Sequence, residues 1–113
     1  MDALYLTVVS ALVVHELDAI RNREWRFFFA PLPVDEETAY RAFVALHAPA
    51  LVAVLWSLES ATVQLGLDAF AVVHGGAHLL VRNHPRVEFD DRFSWLWIAG
   101  AALLAGLHLL RML

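Results

Sequence analysis

Two short stretches carry the residues that could do chemistry. HELD, residues 15 to 18, places His15, Glu16 and Asp18 near the end of an apolar run that begins at Ala3. HGGAH, residues 74 to 78, places His74 and His78 four apart, with Gly75 and Gly76 between them. His47 stands alone in a third apolar run, two residues before Pro49. Residues three or four apart share a helical face, so His15 pairs with Asp18 and His74 with His78. Imidazole and carboxylate are the ligand types of Zn, Fe, Ni or Mn, and catalytic zinc commonly keeps three protein ligands and an open position. The expected site is a divalent metal ion, Zn or Fe, held by His15, His47, His74, His78 and Asp18. Asp18 and Glu16 are the expected acid–base groups, with Asn22 or Ser10 as orienting partners.

The chain that must position them is strongly apolar. It has 113 residues, of which 60% are hydrophobic and 18% charged, with mean hydropathy +0.60 and net charge −4. Soluble domains are usually about 45–50% apolar and about 25% charged, and a small domain has little interior in which to hide an excess. The expectation is a single all-α, integral membrane domain over residues 1–113. Without cysteine there is no disulfide or thiolate site. The acidic balance argues against nucleic acid as a partner. The start, MDALYLTVVS, lacks a basic leader and a small-residue cleavage site, so the first span is expected to remain.

Four apolar segments, about 3–20, 40–58, 62–81 and 93–113, have the length needed to cross a bilayer core as helices. They predict a four-helix bundle. Pro31 and Pro33 break the first connection, Asp35 and Glu36 cap the second span, and Pro85 breaks the last connection. The run EFDD, residues 88 to 91, reads as a solvated cap for the fourth span. Trp25 with Phe27, Phe28 and Phe29 is expected along the inner surface, in a run too short for an independent amphipathic helix. Seven of the eight arginines flank the two long connections, leaving only Arg111 at the other end. That bias predicts a multi-pass protein of the inner (plasma) membrane, with both termini outside.

Depth then brings the polar residues together. At 1.5 Å of rise per residue, His15, His47, His74 and His78 lie roughly 5–10 Å from the inner ends of their spans, and Asp18 roughly 3 Å. Ionisable groups in a membrane are costly, so they line a cavity or pair with one another. Asp68 and His108, each roughly 8–9 Å from an outer end, are expected to pair as a separate structural contact. HELDA is not the HExxH of soluble zinc proteases, because Ala19 occupies the last position.

His15, Asp18, the REW at residues 23 to 25 and HGGAH together resemble the small bacterial and archaeal four-helix membrane proteins defined by an HxxEE motif. Ala19 stands where their second acid would be. The resemblance implies a membrane fold and a histidine site without naming an activity. The residues are also similar to those of intramembrane zinc hydrolases of the ceramidase-like superfamily. In that likeness His74, His78, His15 or His47, Asp18 and Ser10 would fill the corresponding parts. In length and span number the chain resembles small multidrug exporters, where Glu16 would be the acid of the first helix.

The leading functional expectation is a membrane-embedded metal-dependent enzyme. Its substrate would be lipid-like or isoprenoid, entering sideways from the lipid bilayer, and hydrolysis and oxidation stay equally open. The alternatives are a small proton-coupled transporter, a haem protein using His47 and a histidine of the third span, and a non-catalytic adaptor in which the polar residues fix helix packing. Homo-oligomerisation is left open.

Overall fold

A computed structural model describes residues 1–113 as helices and connections, with no strand. The helices are α1 (Ala3–Arg21), α2 (Trp25–Phe28), α3 (Glu36–Trp56), α4 (Ala61–Val81) and α5 (Arg92–Met112). The four long ones match the four apolar segments, and α2 is a single turn within the first connection.

Capping sets their beginnings. Asp2 accepts from the Leu4 N–H, Asp35 from Thr38 and Asp91 from Ser94, each at 2.7 Å, and Ser60 caps α4. These backbone bonds hold all three capping carboxyls below the ordinary aspartate range. The cap role expected of Asp35 and of the EFDD run is therefore present. EFDD is not wholly solvated, however. Phe89 is buried against the rings of His15 and His78, and Glu88 accepts from Arg26.

Three helices, α1, α3 and α5, are long and apolar enough to cross a membrane. α4 is not among them, because Gln64, Asp68, His74 and His78 interrupt its apolar run. Outward faces are apolar too: Leu46, Val52, Leu80, Leu103 and Leu110 are exposed. Such outward apolar faces are consistent with a membrane protein.

Packing is uneven. α5 lies against both α1 and α4, and these three enclose a core of small and branched residues, including Val8, Leu12, Ala71, Ala101 and Ala105. Gly75 permits the close approach of α4 to α5: a Cβ there would stand 2.7 Å from the Ala102 Cβ. Gly75→Ala should therefore lower stability by about 1–3 kcal/mol. Gly76→Ala, where a Cβ meets nothing within 4 Å, should be neutral or mildly stabilising. Thermal unfolding of the two variants in detergent checks the contrast, and equal midpoints would refute it. α3 stands apart. Only Ala39 and Phe43, near its start, are buried, while Trp56 at its end is 89% exposed.

Candidate metal centre

Helix α1 brings His15 to the interior with 1% exposure. α4 brings His74 and His78 from one face, one turn apart. His74 Nε2 lies 3.0 Å from His15 Nε2 and 3.0 Å from His78 Nε2. The fourth donor comes from the connection. Glu24 Oε1 is 3.1 Å from His78 Nε2 and 3.8 Å from His74 Nε2. All four ligand atoms lie within 4.8 Å of one another.

How α1 ends explains Glu24. The chain stops helically at Asn22, and Arg23 takes φ 56°, in the left-handed region. Glu24 N–H reaches back to the Ala19 carbonyl, and Arg23 N–H to that of Ile20. This pairing satisfies the last carbonyls of a helix by reversing the chain. It is normally made by glycine, and an arginine there costs about 1–2 kcal/mol. The reversal tucks Glu24 beneath the histidines with 5% exposure. Sequence reasoning missed it, because Glu24 reads as one more charge in an arginine-rich loop. The available signal was the acid followed at once by Trp25.

The five expected ligands are thus divided. His15, His74 and His78 converge. His47 does not join them: its Nε2 is 2.7 Å from Glu16 Oε2, and its Nδ1–H donates to the Phe43 carbonyl at 2.7 Å. That carbonyl only accepts, so Nδ1 carries a hydrogen, and the short contact to Glu16 requires another between carboxylate and Nε2. Glu16 in turn places Oε1 3.9 Å from His15 Nε2, so His47 neighbours the cluster through Glu16. Asp18 is buried but outside the group, with Oδ2 lacking a partner. Three residues on, Asp18 sits about 4.5 Å further along α1 than His15, and the reversal at Arg23 brings Glu24 in as the carboxylate of the group instead. Asn22 donates to the Asp18 carbonyl and to Ser94 Oγ, while the exposed Ser10 hydroxyl donates to the Leu6 carbonyl. Ser10 therefore takes no part in the cluster.

Hydrogen bonds alone satisfy this cluster poorly. Each ring nitrogen presents one hydrogen or one lone pair in its plane, so His74 Nε2 bonds well with one neighbour and not with two. A cation between the donors satisfies all of them. Tetrahedral zinc with bonds of about 2.0–2.1 Å would separate nitrogens by roughly 3.3 Å, close to the spacing found. Glu24 Oε2 is buried without a partner and is free to serve as a second ligand oxygen or a base. His15 Nδ1 and His78 Nδ1 are buried without partners as well. Ligation through Nε2 places a hydrogen on each of them.

Two spaces adjoin the cluster. A cavity of about 430 Å³ lies between α1, α3 and α4; its apolar walls include Leu12, Val13, Leu51 and Phe70, and Glu16, Glu24, His47 and His74 supply its polar wall. A smaller one, about 100 Å³, lies on the other side, against His78 and Arg86. Glu24, Phe28 and His74 line both.

A second polar group lies in α1, α4 and α5, away from the four donors. His108 Nδ1–H donates to Asp68 Oδ2 at 2.6 Å, and both residues are essentially inaccessible. Tyr5 packs its ring on His108, and Asp2 lies 3.8 Å from His108 Nε2 and 3.3 Å from Arg111. This is the separate contact expected of Asp68 and His108.

No curated protein and no solved structure matches the chain. A family match runs from end to end: over residues 1–113 the chain belongs to a family of unknown function, DUF6713.

Proposed function

We propose that this protein is a multi-pass membrane enzyme. His15, Glu24, His74 and His78 hold a divalent metal ion, Zn or Fe, beside a lateral cavity for a lipid-like substrate. The observation that carries the reading is the convergence of three Nε2 atoms and a buried carboxylate within 4.8 Å. A bound cation there would polarise a substrate oxygen or supply redox chemistry. The chain's own residues do the remainder. The walls of the large cavity exclude water and align an apolar chain, and its polar end is Glu16, Glu24, His47 and His74. Glu24 Oε2 is placed to accept a proton, and Glu16 orients His47 at the cavity wall. Hydrolysis and oxidation both fit this donor set.

The reading includes four membrane spans, with α4 turning Asp68 and His78 inward and packing mainly against α5, and both long connections on the cytoplasmic side of the plasma membrane. The arginine distribution supports that orientation. Reporter fusions at Val34 and Leu113 test it: the first should report cytoplasm and the second the outside. The reverse result would place the cluster near the outer leaflet.

Metal stoichiometry of gently extracted protein, dialysed without chelator, is the deciding experiment. About one ion per chain is expected. A chain that stays empty after exposure to Zn, Fe, Mn and Ni would sink the metal reading. It would favour the runner-up, a proton relay. That reading draws on the continuous series His47, Glu16, His15, His74, His78 and Glu24, whose successive polar atoms lie 2.7–3.9 Å apart.

A further inference from the structure

The cluster stands between two apolar-walled spaces, the smaller of which leads toward charged residues. On one side is the apolar cavity between α1, α3 and α4. On the other, the small chamber beside Glu24, His74 and His78 reaches Arg86, which also lines an outer vestibule of about 400 Å³ with Trp25, Arg26 and Glu36. The order of spaces is the apolar cavity, the reactive cluster, a small chamber with mainly apolar walls and Arg86 at its edge, and then the charged vestibule.

The charges in the vestibule are not equivalent. Arg26 is committed: its Nε lies 2.8 Å from Glu36 and its Nη1 3.3 Å from Glu88. Arg23 lies 4.0 Å from the same Glu88. Arg86 has no carboxylate partner; its backbone N–H donates to His84 Nδ1 at 3.2 Å. Arg86 is exposed, as Arg82 is, but it lines the small chamber together with Glu24, His74 and His78; a free guanidinium there is suited to bidentate capture of phosphate or carboxylate.

We propose that the site takes an amphiphile with an anionic head. Its chain occupies the apolar cavity, its head meets Arg86, and the bond nearest the head lies at Glu24 and His74. This deepens the reading above and rests on its placement of the substrate. It makes Arg86 a specificity residue and predicts that chain and head are both required for tight binding.

Equilibrium dialysis of the metal-loaded full chain in non-ionic detergent tests the proposal, with dodecyl phosphate, dodecanol and inorganic phosphate as probes. Dodecyl phosphate should bind about tenfold or more tighter than dodecanol, the scale of one charge-assisted hydrogen-bonded contact. Arg86→Gln should abolish that preference. Arg82→Gln, an exposed cation at the end of α4, should keep it. The absence of preference in the unaltered protein, or equal losses in both variants, would overturn the proposal in favour of general charge attraction. Inorganic phosphate binding as tightly as dodecyl phosphate would overturn the amphiphile in favour of a free anion. Metal content measured on the same samples separates the two claims. Head preference without metal would remove only the metal reading, and metal without head preference would remove only this one.

Discussion

His74→Ala should empty the metal centre. His74 Nε2 is the shared neighbour of His15 and His78, 3.0 Å from each, so its loss removes a ligand and the atom around which the other two are arranged. The fall in metal affinity should exceed the roughly 10–100-fold that follows loss of an outer partner. Glu24→Ala should act alike, since it removes the only carboxylate in the group. Asp18→Asn should leave the ion in place, and His47→Ala should stay within the 10–100-fold range, acting only through Glu16. Metal stoichiometry of the four purified variants, each checked for folding, gives the ranking. Retention of metal by Glu24→Ala with its loss in Asp18→Asn would restore Asp18 as the ligand and discard Glu24.

The second large effect belongs to stability. Asp68→Ala should destabilise the fold by about 3–5 kcal/mol, because it leaves His108 buried without its partner. The pair is sealed, with Asp68 0% and His108 2% exposed. Metal content should not change, since neither residue belongs to the donor group. Replacing both residues together with leucine should recover most of the loss, because an apolar pair of similar volume carries no desolvation cost. Thermal midpoints and metal content decide the matter together. A single variant that loses metal while keeping its midpoint would join the two polar groups into one functional unit.

The legible parts of this protein are those set by helical repetition. His74 and His78 share a face because they are four apart, and His15 meets them because antiparallel helices carry all three to similar depth. Asp68 and His108 were legible for the same reason. Glu24 was not. Its position depends on one residue, Arg23, adopting a left-handed conformation that its side chain disfavours. The remoteness of α3 was also hidden. Apolar side chains in a bilayer gain little by choosing protein over lipid, so an apolar helix does not announce which neighbour it will pack against. His47 was therefore assigned to the cluster by depth, whereas the open packing of α3 leaves it one carboxylate short.

The contact between His15 and His74 spans 59 positions, and that separation has a meaning in time. A chain made at about 5–20 residues per second presents His15 roughly 3–12 seconds before His74. During that interval α1 holds Glu16 and His15 with nothing from α4 to meet them, while the first connection, α2 and α3 have been made. His47 of α3 is then the earliest available partner for Glu16. The histidines of α4 follow later and meet His15 and Glu24 rather than Glu16.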